Sequence, residues 1–268
     1  MSDMKILSWN VNGIRARAGE VADLLAREEP DVACLQEIKA SADLVPVALF
    51  EMAGYWSYWH GGKGYSGIAL LVRRTHCEQE PELCHPDFNI EHRIATASVN
   101  GLTIASVYVP NGGRDFPAKM RFLEAMGNYV AATRARGESL VLCGDMNVAR
   151  AEMDVHPKER KANAVGQRPD ERALFERLLE QGLVDVCRTL DPDNDGLFTW
   201  WAPWRNMRQR NIGWRIDYIL AATSVAERVR SSRVLAEFGT SDHAPLVAQF
   251  DVSDAGAPHA LQTAKDTN

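Results

Sequence analysis

No run of apolar residues in this sequence approaches the ~18 needed for a membrane-spanning helix. Nor does it open on a basic-then-apolar leader, since MSDMKILSWN goes straight into strand-like sequence; neither a membrane segment nor a secretory signal is expected. Cysteine is sparse and unpatterned, with five residues (Cys34, Cys77, Cys84, Cys143, Cys187) and no C-x-x-C pair. An odd, scattered set fits reduced thiols better than a disulfide framework, so a cytoplasmic location is expected. Gly, Ser and Pro never gather into a linker, and nothing repeats at a solenoid period. Positive charge is not in surplus either. Thirty Lys and Arg against 36 Asp and Glu give a formal −6, which argues against nucleic acid as a partner unless basic residues cluster locally. What remains is a 46% hydrophobic, 25% charged mixture that excludes disorder and collagen-like chains. At 268 residues such a chain can bury roughly three quarters of its unfolded surface.

Short apolar runs predict strands at Lys5–Trp9, Asp31–Gln36, Gly67–Val72, Ala95–Val99, Thr103–Val109, Ser139–Cys143, Ile216–Ala221 and Leu246–Phe250. Helical spacing appears from Val21 to Glu29, stopped by Pro30, from Pro117 to Arg136, and from Asp170 to Gln181, with Gly182 beyond it. Strands outnumber helices, so an α/β fold of sheet packed on sheet with helices outside is expected, in one domain over residues 1–252. Residues 253–268 are small, polar and aperiodic, and read as a frayed tail.

Polar residues end several of these strands. SWNVNG carries Asn10 and Asn12 two apart, hence on one face of an extended chain. Glu37 follows DVACLQ, Asp145 and Asn147 follow SLVLCG, Asp217 interrupts RIDYIL, and Asp242 and His243 precede PLVAQF. Any one of these alone reads as a turn residue or a hydrogen-bonded core side chain. Five strand ends together are different. If they converge, the carboxylates repel one another and take up protons unless a cation relieves them. An oxygen-rich set without cysteine suits Mg²⁺, or Mn²⁺, better than Zn²⁺, and points to metal-assisted phosphoryl chemistry.

SWNVNG, LQEIK, GYSGIALL, YVPNG, GDMNVA, NIGWRIDYIL and SDHAPL occur in this order over residues 8 to 246. The set resembles the exonuclease III family of apurinic/apyrimidinic endonucleases, within the endonuclease/exonuclease/phosphatase superfamily. QE, GDMN and SDH are shared with DNase I-like nucleases, inositol polyphosphate phosphatases and sphingomyelinases. GYSGIALL, YVPNG followed by FPAK, and NIGWRIDYIL belong to the abasic-site branch. The resemblance implies a four-layered α/β sandwich of two mixed sheets flanked by helices.

It also implies roles. Glu37 matches the principal metal-binding glutamate, with Asn10 beside it, while Asn12 stands where some relatives carry Asp. Asp145 matches the aspartate that either activates the attacking water or protonates the leaving oxygen, and it shares the metal. Asn147 would orient water and phosphate, and with His243 and Asp242 completes the implied metal and phosphate set. His243 would bind a non-bridging phosphate oxygen with Asp217 behind it, and Tyr108 would place its hydroxyl on the phosphate. Asp242 matches a carboxylate near a second metal position.

Between Trp204 and Arg215 lie Arg205, Arg208, Arg210 and Arg215 and no acid, a local +4 within a chain of −6. Four of the seven tryptophans (Trp200, Trp201, Trp204, Trp214) fall in or beside it. Basic residues among aromatics suit a phosphate backbone and an unstacked nucleotide, although each Trp alone also reads as core. By resemblance, Trp200, Trp214 and Ile216 line a pocket for a flipped abasic sugar, and Asn111 and Asn163 match positions that contact the DNA or the abasic site. Trp214 and Ile216, two apart, read as one face of a strand, and Arg208 as a phosphate contact.

The expected function is a Mg²⁺-dependent repair nuclease, monomeric, cutting double-stranded DNA 5′ to abasic sites and trimming or dephosphorylating blocked 3′ ends. Two alternatives stay open: a phosphodiesterase or phosphatase of the same superfamily acting on inositol phosphates or lipids, and a catalytically silent nucleic-acid-binding module.

Overall fold

VACLQ and IALLVR are unbroken apolar runs, the pattern of strands covered on both faces, and they become central strands of a sheet. The computed structural model describes residues 3–62, 64–77 and 79–252, so the expected tail at 253–268 lies outside the described residues. In chain order the first half is β1 (Asp3–Asn10), α1 (Ile14–Glu28), β2 (Val32–Gln36), α2 (Val47–Met52), β3 (Tyr55–His60), β4 (Ile68–Arg73), β5 (Leu83–Cys84), β6 (Ile94–Val99) and β7 (Leu102–Tyr108). The second half is α3 (Phe116–Ala135), β8 (Ser139–Asp145), α4 (Pro169–Glu180), β9 (Leu183–Asp185), α5 (Val186–Leu190), β10 (Asp217–Ala222), α6 (Thr223–Ala226), β11 (Val229–Val234) and β12 (Leu246–Asp251).

Two six-stranded sheets result, ordered β11-β12-β1-β2-β4-β3 and β5-β6-β7-β8-β10-β9. Each is antiparallel except for one parallel pair, β1 with β2 and β7 with β8, joined across α1 and α3 respectively. Alternation sorts the side chains into layers. Met4 and Ile6 of β1 meet Ile104, Val141 and Ile219 between the sheets. Leu7 and Trp9 of the same strand face Val21, Leu24 and Leu25 of α1. On the far side, Ala105, Leu142 and Leu220 pack on Phe122 and Met126 of α3 and Phe175 of α4. The four-layered α/β sandwich is therefore the observed fold.

α1 begins at Ile14, seven residues before the expected start, because its first two turns expose Arg15 and Ala16, leave Arg17 and Glu20 only half-buried and carry little apolar period. α3 starts where its sequence says: Asp115 accepts the Ala118 N–H at 2.9 Å, and Pro117 fills the first turn. β3, β5, β9 and β11 were not expected; all lie at or next to sheet edges.

The topology puts chemistry on one rim. The parallel strands β1, β2, β7 and β8 end there, and the antiparallel β10 and β12 begin there. Tyr108 is in register with Asp145, and Asp145 with Asp217. No helix among the described residues is long and apolar enough to cross a membrane.

Candidate active site

Two turns at this rim adopt a conformation that L-residues avoid. Glu37 has φ 51° directly after β2, and Asn147 has φ 51° two residues after β8. Such residues cost on the order of 1–3 kcal/mol each and persist where the surroundings fix them. Gly144 makes the second turn possible. A Cβ there would lie 1.9 Å from the Val107 carbonyl oxygen, so β8 can lie this close to β7 only with glycine.

Glu37, Asp145 and His243 each bring one ligand atom to within 4.8 Å of the others'. Asn10 turns its amide nitrogen between the two carboxylates, 3.2 Å from Glu37 Oε1 and 3.0 Å from Asp145 Oδ2. Asn147 donates to Asp145 twice, from its backbone N–H at 2.8 Å and from Nδ2 at 3.2 Å, and Asn111 donates to Asn147 Oδ1 at 3.0 Å. The Tyr108 hydroxyl bonds Glu37. Burial and the charges of Glu37 and Asp145 push that phenol far above its ordinary range, so it stays a donor.

Electrostatics follow from crowding. Burial and the charge of Asp217, with a smaller push from Glu37, raise Asp145 to about 8 against the opposing pull of His243. For Glu37, burial is outweighed by His243, Lys39 and Tyr108, and its carboxyl is held below the usual range. Burial would lower His243, but Asp217 at 2.9 Å from Nδ1, helped by Asp145 and Asp242, raises it to about 10. Its Nε2 stands 3.9 Å from Asp145 Oδ2. A doubly protonated ring offers a donor and no lone pair, so His243 as found suits a phosphate oxygen better than a metal. Two clustered carboxylates, one of them forced toward protonation, together with amides, are a donor set that fits a hard divalent cation.

Asp242 does not join this group. Its Oδ1 accepts from Asn12 at 2.7 Å and its Oδ2 from Trp200 Nε1 at 3.0 Å, so it anchors the tryptophan beside the site. Trp200 and Trp214 meet edge-on with centroids 5.6 Å apart and pack with Ile216 against Ala149 and Val155, an apolar wall next to His243. Contrary to expectation, Trp214 and Ile216 do not share a strand: Trp214 makes isolated bridges to Val155 and Trp200, and β10 starts only at Asp217. Asn111 and Asn163 are both exposed, with Asn163 three residues before Gly166, which packs on the Trp214 ring.

The basic stretch is reduced by half. Arg208 spends its guanidinium on the carbonyls of Ala236, Phe238, Gly239 and Ser241 and lies over the Trp201 ring, so it clamps two loops and is not free for a phosphate. Arg215 is buried between Asp154 and Asp185 at 2.7–3.0 Å. Arg205, Arg210 and Trp204, the last 60% exposed, remain at the surface.

Several contributors carried no sequence signal of their own. Thr199 donates to Asp217 Oδ2 at 2.7 Å while accepting the N–H groups of Ile216 and Asp217. Ser241 donates to the Asn10 carbonyl and accepts the His243 N–H, tying β1 to the histidine. Lys39, within the quoted LQEIK, lies 2.7 Å from Glu37 Oε2.

The family model for the endonuclease/exonuclease/phosphatase family matches residues 7–243, and the chain belongs to that family. Within it the chain is a hydrolytic nuclease of the exodeoxyribonuclease III and AP endonuclease type. It is 34% identical to an exodeoxyribonuclease of Bacillus subtilis, over 91% of this chain and 98% of that one. The DNA repair nuclease APEX1 of Danio rerio is likewise 34% identical, over 91% and 81%. Among solved structures, the 3′ phosphatase NExo from Neisseria, bound to a product DNA hairpin, superposes with a TM-score of 0.86 at 33% identity, over 92% and 99%. An AP endonuclease from Archaeoglobus fulgidus gives 0.84 at 33%, over 92% and 99%.

Proposed function

We propose that this chain is a Mg²⁺-dependent DNA repair nuclease, active as a monomer in the cytoplasm, that hydrolyses the phosphodiester 5′ to abasic sites and also cleans blocked 3′ ends. The observation that carries this reading is the juxtaposition of the Glu37–Asp145–His243 group with the Trp200–Trp214–Ile216 wall. Attack on a phosphodiester loads negative charge onto the non-bridging oxygens. His243, kept protonated by Asp217, donates Nε2 to one of them, and the Tyr108 hydroxyl donates to another. Asn147 orients the phosphate and the water. Asp145, whose carboxyl holds or releases a proton near neutrality, takes the proton of the attacking water or gives one to the leaving 3′ oxygen.

Glu37 and Asp145, with Asn10 and Asn147 as amide neighbours, are the residues that would hold the cation. When bound, Mg²⁺ (or Mn²⁺) neutralises the paired carboxylates and polarises the phosphoryl oxygen.

Substrate choice falls to the wall. A nucleotide without a base, turned out of the duplex, is small enough to lie against Trp214 and Ile216, and a complete nucleotide is not. Asn111 and Asn163 contact the flanking strand, and Arg205 and Arg210 meet its phosphates without reading sequence. A Neisseria relative named a 3′ phosphatase and an Archaeoglobus relative named an AP endonuclease share this fold equally well, which supports one site serving both ends of the activity range.

The test is a parallel digestion, with Mg²⁺, of four duplexes: abasic, nicked, 3′-phosphorylated and intact. Rapid cutting of the abasic duplex, removal of the 3′ phosphate and slow attack on the intact duplex are expected. Hydrolysis of inositol phosphates with no action on any of the four would replace this reading with the phosphatase alternative.

A further inference from the structure

Lys119, the last residue of the FPAK segment, is wholly buried, at 0% exposure, in the first turns of α3. A buried ammonium is costly unless its charge and its donors are met, and an apolar side chain of similar length would fill the space without that cost. Its partners are specific. Glu171 of α4, also 0% exposed, forms an ion pair with Nζ. The Asn147 carbonyl accepts from Nζ at 2.7 Å. Gly112 closes over the lysine stem so tightly that a Cβ there would lie 2.7 Å from Lys119 Cδ.

Each end of the pair holds one side of the site. At Asn147 the chain has turned left-handed out of β8, and Lys119 takes the carbonyl that the turn leaves over. The amide of the same residue then points at Asp145 and Val109. At the other end, Glu171 Oε2 accepts the Gly166 N–H at 2.7 Å and the Arg168 N–H at 3.2 Å. The Gly166 carbonyl in turn accepts the Ala149 N–H at 2.7 Å. A Cβ on Gly166 would lie 3.0 Å from the Trp214 ring and 3.2 Å from the Asn147 carbonyl oxygen, so this glycine separates the two.

We infer that Lys119 and Glu171 are positioning residues whose buried ion pair sets the spacing between Asn147, which meets the scissile phosphate, and Trp214, which walls the abasic sugar. The inference rests on the function proposed above. It makes the pair responsible for holding chemistry and substrate choice in register, although neither side chain touches the substrate.

The test compares the wild type with Lys119→Met/Glu171→Leu, which removes both charges while filling the volume, so that neither is left buried alone. Melting temperature, kcat, KM and the ratio of abasic to intact cleavage are measured for each. A displacement of Asn147 by about an ångström should lower kcat about 10²-fold. KM should stay within about threefold, the pattern of an interaction that acts in the transition state and not in ground-state binding. The abasic-to-intact ratio should fall with kcat, because Trp214 is released at the same time. A folded double variant with wild-type kcat and wild-type ratio overturns the inference, as does a loss of kcat that merely follows the melting temperature. If the double variant does not fold, Glu171→Gln decides, since it keeps an acceptor for the Gly166 N–H. A lower kcat and ratio support the inference, and wild-type values overturn it. A wild-type enzyme that leaves abasic duplex uncut would instead remove the proposed function, whatever the variants do.

Discussion

Asp217 Oδ2 stands 2.9 Å from His243 Nδ1 and at the same time accepts the Thr199 hydroxyl at 2.7 Å. The carboxylate is thus fixed from one side and fixes the ring on the other. This pins the protonated form of the histidine and aims Nε2 into the site. His243→Ala and Asp217→Ala should each cost about 10²-fold in rate, the scale of losing one group that stabilises developing charge. The double variant should lose little more than either single one, because the two act as a unit. Rates of the three variants on one abasic duplex decide it. Losses that multiply would mean the residues act separately.

Glu37→Gln should abolish cation-supported cleavage and leave the melting temperature in EDTA no higher than that of the wild type, because the charge it loses is held by His243 and Lys39. Its removal relieves only a minor repulsion on Asp145, and it takes away the carboxylate that the cation needs. Melting curves with EDTA and with Mg²⁺ should therefore separate for the wild type and coincide for the variant. A Mg²⁺ stabilisation equal in both would place the cation elsewhere.

The two raised groups give a definite pH trend. The folded state holds the His243 proton to about 10, against 6.5 for an ordinary histidine, so this contribution is complete below 6.5 and is lost as pH rises through 10. Asp145 also binds its proton more tightly when folded, to about 8 against an ordinary 3.8, so it too removes stability as pH climbs from 3.8 to 8. A cation must displace the Asp145 proton. Stabilisation by Mg²⁺ should accordingly grow between pH 6 and about 8 and level off above, as read from melting temperatures with and without the ion. A stabilisation independent of pH across that window would show that Asp145 is already ionised.

Arg215 lies between Trp214 and Ile216 in sequence but points the other way, into Asp154 and Asp185. Removing it leaves Asp154 with Arg188 alone and Asp185 with only Arg150 at 3.9 Å, a loss of about 3–5 kcal/mol by the usual cost of breaking a buried pair. Urea unfolding of Arg215→Ala measures this. A variant as stable as the wild type would mean that Arg188, which also reaches Asp154, compensates fully.

Trp214→Ala should reduce the preference for abasic over intact duplex by more than it reduces the rate of phosphate hydrolysis at a 3′ end. Arg208→Ala should act on stability instead, at about 1–3 kcal/mol for a charged donor shared among backbone acceptors. The salt dependence of DNA binding should flatten by about one phosphate contact on removing Arg205 or Arg210, the exposed arginines. Binding measured across a salt series for the three arginine variants separates the clamp from the contacts.

Much of this was legible in the sequence for a physical reason. β1, β2 and β8 are buried over most of their length and read as apolar runs, so the polar residues at their ends (Asn10 on β1, Glu37 after β2, Asp145 and Asn147 at and after the end of β8) are conspicuous. The edge strands were not legible. β11, VRSSRV, is half exposed and β5 is two residues long, and neither carries a period. The fate of each arginine was also hidden. Arg208 and Arg215 look alike in a basic stretch, but Arg215 is matched by Asp154, 61 residues away, a pairing that only the fold creates. Thr199 and Ser241 carry no signal because a hydroxyl looks the same at a turn, on a surface or behind the carboxylate that holds His243.

The most direct measurement is the chemistry of the ends left at a single abasic site in a labelled duplex, with Mg²⁺ and with EDTA. One cut 5′ to the abasic site is expected, leaving a 3′-hydroxyl and a 5′-deoxyribose phosphate, present with Mg²⁺ and absent with EDTA and in Glu37→Gln. An unsaturated aldehyde on the 3′ end, the mark of elimination and not hydrolysis, or cutting that persists in EDTA, would contradict it.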